Sequence, residues 1–323
     1  MAFSKRLLPF VKIAVSVGML ALLLSFVDWR EGTTALASVP SAIVGAVIAI
    51  FAMQFAISAW KWWAAMRALN VSVPFAVLAK TYCIAYFFGT FLPTSVGGDV
   101  YRTYRASKHC SLLTAMSGVI MERVFGLIAL ILVGFFGMLW LLVSSAQIST
   151  ATFATAVAVA TGGYFVVPLG LLYALSVSSG WKRWLPHRLK PAVSKVAVLN
   201  SNRFRLVQLS GICLLYQMIA VLPFALLFAS VGESWHLAES AVGNAAGSLA
   251  ALLPISLNGV GVTEGSFIGI ASLLGVNYTA ATVVSLLMRL LILPLVAAFG
   301  IMYMFDVKRR PTVSASSAQA DVV

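Results

Sequence analysis

Two short runs in this chain concentrate residues able to do chemistry. The first reads Phe91-Leu92-Pro93-Thr94-Ser95-Val96-Gly97-Gly98-Asp99-Val100-Tyr101-Arg102. Gly97 and Gly98 permit a sharp turn with positive φ. Asp99 is then placed to cap a following helix, with Arg102 and Arg105 on roughly one side of it. A helix N-terminus beside arginines attracts a phosphate. The same pattern also reads as a helix cap next to a basic rim. The second run reads Leu253-Pro254-Ile255-Ser256-Leu257-Asn258-Gly259-Val260-Gly261-Val262-Thr263-Glu264-Gly265. Its glycines mimic a nucleotide fingerprint, but no strand precedes them and no βαβ unit surrounds them. Glu264 falls just inside a half-helix, where a carboxylate suits the positive helix end. It is equally suited to carry a proton. Ser256, Asn258 and Thr263 add hydrogen-bonding groups at similar depth.

Three more ionisable residues, Glu122, Arg123 and Arg289, lie inside apolar stretches. Each costs at least about 2.5–3.5 kcal/mol at mid-membrane and so faces a bundle interior or a wet cavity. Glu122 and Arg123 are adjacent, point about 100° apart on a helix, and do not pair with each other. Glu264 and Arg289 are the expected partners, in a two-plus, two-minus network. That network reads as a structural lock or as a substrate contact.

The elements that must position these groups follow from composition. Of 323 residues, 61% are hydrophobic and 10% charged, against about 45–50% and about 25% in soluble proteins. This excludes a soluble enzyme, a disordered chain and a disulfide-stapled secreted fold. The expected class is an all-α polytopic membrane protein. Six stretches reach the length of a spanning helix: 7–27, 40–60, 112–143, 151–177, 206–231 and 279–305. The first exceeds the apolar length of a signal peptide and reads as an uncleaved anchor. Two other apolar regions are broken, at Pro93 to Gly98 and at Pro254 to Gly261. Their halves are too short to span and read as re-entrant hairpins, 74–110 and 237–277. Broken backbone at membrane depth is tolerated only inside protein or along a cavity.

Charge placement supports this arrangement. With both broken regions returning to their own side, only Arg30 of the 22 basic residues falls outside the cell, and only Arg123 and Arg289 fall within spans. Asp28, Glu31, Glu233 and Glu239 lie in the outer loops. This positive-inside pattern predicts a multi-pass protein of the cytoplasmic (inner) membrane with both termini cytoplasmic. The net charge of +13 therefore signals an anionic membrane face, with no nucleic-acid partner. The order of elements predicts an inverted repeat. Residues 1–143 form one copy, 144–305 the other, and 306–323 a disordered tail. Leu, Pro, Ser and Gly recur at matching positions of the two breaks. Inverted repeats with matching broken helices point to a transporter's binding site.

The remaining features read as structural. Cys83, Cys110 and Cys213 form no metal or disulfide pattern. His109, His187 and His236 are interfacial, with no ligand spacing. The tryptophans Trp29, Trp60, Trp62, Trp63, Trp181, Trp184 and Trp235 read as an interfacial belt. Pro168, Pro223 and Pro294 are expected to kink spans. Neither a metal nor a cofactor is implied.

The segments 91–105, Met121-Glu122-Arg123-Val124-Phe125-Gly126 and 254–265 resemble the lysylphosphatidylglycerol synthase transmembrane-region family, also called the flippase-like domain family. The shared motifs are Pro-x-Ser-x-Gly-Gly-Asp-x-x-Arg, Glu-Arg and Gly-x-Gly-x-x-Glu, and the resemblance covers about residues 5–305. It implies a role in lipid handling. Members include the membrane domain of the multiple peptide resistance factor, implicated in moving aminoacylated phospholipid between leaflets; others are linked to hopanoids or lipid-linked sugars. It also implies Asp99, Arg102, Glu122, Arg123 and Glu264 as the functional set. The full resistance factor carries a cytosolic aminoacyl-transferase domain. Here only residues 306–323 follow the last expected span, so the resemblance supports the lipid-handling half alone.

The expectation is a lipid flippase-like transporter rather than an enzyme. No GxxxxGK[ST] run supplies an ATP engine. Alternatives are a small-solute or ion transporter and a membrane enzyme acting on a lipid phosphate. The expected site comprises Ser95, Gly97, Gly98, Asp99, Arg102, Glu122, Arg123, Ser256, Asn258, Gly259, Gly261, Glu264 and Arg289. The expected partner is a membrane phospholipid or lipid-linked substrate. A separate lipid-modifying enzyme is a candidate second partner.

Overall fold

A computed structural model describes residues 2–91, 97–145, 154–155, 203–253 and 255–308. Among these, every regular element is helical. The expected span 151–177, Pro168, Trp181, Trp184, His187, the basic loop around them and the tail after residue 308 lie outside the described residues.

Helix α1 (Ala2–Ser25) is followed by α2 (Trp29–Ser38), and the pair is bent by 93°. Asp28 and Glu31, expected in a loop, instead start α2. Asp28 caps it by accepting from the amides of Arg30 (2.9 Å) and Glu31 (3.3 Å), a favourable use of an acid at a helix start. Next come α3 (Ser41–Ala68), α4 (Phe75–Phe91), α5 (Gly97–Ala106) and α6 (Leu112–Ser144). Ser111 caps α6 through the Thr114 amide, 3.2 Å away. The second half holds α7 (Arg203–Ala220), α8 (Leu222–Ser230), α9 (Leu237–Ala250), α10 (Val262–Leu273), α11 (Tyr278–Leu291) and α12 (Leu293–Lys308).

Four stretches are long and apolar enough to cross a membrane: Ser41–Ala68, Leu112–Ser144, Arg203–Ser230 and Tyr278–Asp306; the bent α1–α2 pair makes a fifth. The chain is thus an all-α, multi-pass membrane protein. Two of these stretches are interrupted, at Val221 and Ile292, two residues before Pro223 and Pro294. Proline lacks the amide donor and clashes with the preceding turn.

Helices α4, α5, α9 and α10 have 17, 10, 14 and 12 residues, below the ~20 needed to span. They pack as two antiparallel hairpins. In the first, Gly98 abuts Ala85 and Gly89, while Tyr101 meets Phe88 at 5.2 Å between rings. In the second, Gly247 faces Thr263 and Gly243 faces Phe267. Each hairpin therefore turns back toward the end from which it began. Helix α5 lies against α6, and α9 packs on α6 where Gly134 and Gly137 admit Ala245 and Ala241. Helix α1 covers the second break: Ser16 Oγ accepts from the Leu257 amide at 2.7 Å.

Among the described residues, two large buried clusters hold the bundle, with a small third at Val133, Val221 and Ala241. One joins α3, α6 and α7 around Trp62, Met66 and Leu209. The other joins α3, α8, α10 and α11 around Phe51, Phe228, Phe267 and Val284. Trp62 and Trp235 therefore depart from the expected interfacial belt. Trp62 is fully buried, and Trp235 is buried against Phe228 and Phe267 with its Nε1 donating to Ser240 Oγ at 2.8 Å. Trp29 and Trp60 are exposed as expected.

Candidate functional site: a charged cavity between two hairpins

The first break starts α5 at Gly97, so Asp99 sits within the first helical turn and is not the N-cap. Gly98 is helical, and its role is steric rather than a positive-φ turn: an added Cβ would run into the Ala85 carbonyl. That close approach brings α5 onto α4 and fixes where its charged face points. Ser95 lies outside the described residues. Asp99 joins two arginines, Oδ1 to Arg102 Nη2 at 2.6 Å and Oδ2 to Arg123 Nη2 at 2.5 Å.

Arg102 is buried and continues the chain of charges, its Nη1 lying 2.5 Å from Glu122 Oε2. Its guanidinium also lies 4.8 Å from the Tyr82 ring centre and 5.3 Å from that of Trp62, within cation–π range. The other Glu122 oxygen lies 3.8 Å from Lys61 Nζ, which sits 3.8 Å over the Tyr216 ring. The result is an alternating series, Lys61–Glu122–Arg102–Asp99–Arg123. Adjacent opposite charges at this depth offset the desolvation each would otherwise suffer.

This corrects the expected pairing. Glu122 and Arg123 do not pair with Arg289 and Glu264. They pair with α5 and α3. Arg105 also parts from Arg102, pairing at 3.6 Å with Asp306, which Lys80 holds at 2.6 Å. Lys61, Tyr82, Trp62 and Tyr216 escaped the sequence reading. Lys61 was assigned to a cytoplasmic segment after a span ending at Trp60, whereas α3 continues to Ala68 and buries Lys61. Extending the buried stripe of Val47, Phe51, Phe55 and Ser58 past Trp60 would have placed Lys61 and Trp62 on it.

The second break is built differently. Asn258, Gly259 and Gly261 all have positive φ, at 49°, 77° and 83°, and carry the chain into α10. Gly261 could not be replaced without colliding with Met19 of α1. Glu264 is buried and doubly engaged. Its Oε2 accepts from the Gly261 amide at 2.7 Å, and its Oε1 pairs with Arg289 Nε. Ser256 is buried with its hydroxyl unpartnered.

The tips of the two hairpins face each other across a cavity of about 330 Å³, with Gly89, Thr90, Gly98 and Asp99 on one side and Ala251, Leu252 and Asn258 on the other. A second cavity of about 470 Å³ shares Tyr82, Arg102, Arg123 and Leu252 with it and reaches Lys61, Glu122, Tyr216 and Gln217. Volumes of this order accommodate a small-molecule headgroup. Arg123 borders both, with 54% of its side chain exposed. Of the expected site, Gly98, Asp99, Arg102, Glu122, Arg123 and Asn258 line these cavities; Glu264 and Arg289 pair with each other and are in neither lining. Among the described residues no cluster of His, Cys, Asp and Glu is arranged to hold a metal ion.

Comparison with known proteins gives one family: the model for the lysylphosphatidylglycerol synthase TM region matches residues 10–300. No curated protein and no solved structure matches the chain. The match takes in both hairpins, the charged series and the cavities between them, and by it the chain belongs to the lysylphosphatidylglycerol synthase transmembrane-region family, whose membrane domain is linked to lipid handling.

Proposed function

We propose that the protein moves a phospholipid or lipid-linked headgroup between membrane leaflets by alternating access, without chemically changing it and without its own ATPase. The observation that carries this reading is the open cavity, lined by charged side chains, between two re-entrant hairpins within an apolar bundle. The headgroup occupies the cavity while the acyl chains stay in lipid. Rocking of the two halves, read as inverted repeats, opens the cavity to one leaflet and then the other. Movement is downhill or driven by ion gradients or membrane potential, the last worth about 2.3 kcal/mol per charge per 100 mV. In this reading the protein sits in the cytoplasmic membrane with both termini inside, and a separate lipid-modifying enzyme supplies its substrate.

The test is leaflet exchange in liposomes, using dithionite-accessible fluorescent phospholipids with anionic, zwitterionic and lysyl-modified headgroups. Wild type should exchange at least one lipid class. Arg123→Ala should abolish exchange while still inserting, because it removes the exposed one of the two arginines that border both cavities. Glu264→Gln should weaken exchange by loosening the second tip. No exchange of any lipid by inserted, folded protein would refute a phospholipid flippase. A chemically altered lipid would point to an enzyme instead.

A further inference from the structure

The donors and acceptors of the cavity are unequally used. The chain has nine carboxylates. Among the described residues Asp99 and Glu122 are the two that border the cavities. Asp321, in the tail, is the one acid outside the described residues, so residues 92–96 and 146–202 bring none. Both cavity carboxylates are taken. Asp99 gives one oxygen to each of two arginines, and Glu122 gives one to Arg102 and faces Lys61 with the other. Neither has an oxygen left free of a cation.

The cations are not used up in the same way. Lys61 is buried and borders the larger cavity, with Glu122 at 3.8 Å as its ion-pair partner and the Tyr216 ring beneath it. An ammonium carries three N–H donors, and 3.8 Å is beyond hydrogen-bond distance. Arg123 has five donors, spends its charge on one Asp99 oxygen, and presents the rest to both cavities. Nearby, Trp62 Nε1 is a further buried donor without an acceptor. Lys61, Arg102 and Arg123 against Asp99 and Glu122 leave one positive charge in excess.

We propose that the cavity selects an anionic oxygen ligand, a phosphate-bearing headgroup of net negative charge, and discriminates against a headgroup carrying added amines. The inference rests on the transport reading in taking this cavity as the headgroup passage. An oxyanion between Lys61 and Arg123 supplies the acceptors that the wall lacks. A lysyl-modified headgroup brings two ammonium groups into a positive cavity and finds no free carboxylate. Selectivity of this kind comes from leaving charges unpaired or opposed in the wrong complex.

The experiment measures binding rather than exchange, on the full chain in uncharged detergent, by intrinsic fluorescence titration. Three ligands are compared: dihexanoyl phosphatidylglycerol, its lysyl ester, and glycerol 3-phosphate. Phosphatidylglycerol is expected to bind at least ~10-fold more tightly than the lysyl ester, and Lys61→Met and Arg123→Gln should each weaken it by ~10-fold, the loss of one charged contact. Binding of glycerol 3-phosphate as tight as the lipid supports the anion site and assigns it to a soluble phosphate ester. Binding of the lysyl ester as tight as phosphatidylglycerol overturns the proposal, and wild type alone decides this even where a variant misfolds. A folded Lys61→Met with unchanged phosphatidylglycerol affinity overturns it as well. Preference in binding without leaflet exchange would refute the transport reading while leaving the selectivity standing. Exchange without preference would do the reverse.

Discussion

Glu122→Gln is the most informative perturbation of the charged series, because it removes one charge and keeps the side chain's shape. Two cations lose their carboxylate, Arg102 at 2.5 Å and Lys61 at 3.8 Å. Arg102 keeps Asp99 at 2.6 Å, whereas Lys61 is left with the Tyr216 ring. Stranding a buried charge costs about 3–5 kcal/mol. Lys61→Met, by contrast, removes the weaker arm of Glu122 and keeps an apolar stem of similar length. It should cost no more than ~1 kcal/mol, since Glu122 keeps Arg102 at 2.5 Å and no carboxylate is left stranded. The double variant no longer strands an ammonium. It should be more stable than Glu122→Gln alone, by roughly 1–2 kcal/mol, within the usual coupling of contacting residues. Denaturant unfolding of the four proteins in the same detergent measures this cycle. Strictly additive losses, or a Glu122→Gln variant as stable as wild type, would refute the coupled series.

Two further outcomes follow from the packing. Gly98→Ala should destabilise by about 1–3 kcal/mol, as overpacking does, because its Cβ meets the Ala85 backbone, which cannot rotate away. Gly211→Ala on α7, with nothing within 4 Å of the new Cβ, should instead gain up to about 1 kcal/mol of helix propensity; thermal unfolding that moves both variants in the same direction would count against the tight α4–α5 contact. Asp306→Asn releases Lys80 and Arg105 from the end of α12. With Lys80 41% exposed, the loss should be within about 1 kcal/mol and shrink as salt is added, whereas a large, salt-independent loss would show that this contact is a structural clamp.

The fold was legible where a physical constraint leaves a trace in the local sequence. Among the described residues, four of the six expected spanning runs appear as spans and a fifth as part of a bent pair, the shorter runs beside the two breaks appear as short helices, and Pro223 and Pro294 fall where spans are interrupted. What failed was local in appearance and tertiary in cause. Trp60-Lys61-Trp62-Trp63 has the composition of an interface, yet α3 carries Lys61 and Trp62 into the core. An interfacial tryptophan and a buried one have similar local sequence; the continued apolar stripe of α3 and its packing against α6 and α7 separate them. The adjacency of Glu122 and Arg123 correctly excluded their pairing with each other. Their true partners depend on how a hairpin folds back, which spacing along the chain does not encode.

The two breaks carry this distinction furthest. Of their matching residues, Leu, Pro, Ser and Gly, only Pro and Gly constrain backbone, and at the matched glycines Gly98 is helical whereas Gly259 has a positive φ. In the same alignment Asp99 and Arg102 fall opposite Val260 and Thr263, and Glu264 falls opposite Thr103. The likeness is therefore one of residue type along the chain, while the charges are arranged asymmetrically. At the first break Asp99 and Arg102 face the cavity and link outward to α6. At the second, Glu264 turns inward to its own helix start and to Arg289. If the cavity is a headgroup passage, the first hairpin recognises charge and the second supplies a stiff opposing tip. Substitutions that alter charge at the first break should then change which ligand binds, and those at Glu264 should weaken all ligands alike. Binding titrations of Asp99→Asn and Glu264→Gln with the same three ligands separate these effects. A change of ligand preference in Glu264→Gln, with Asp99→Asn indifferent, would reverse the assignment.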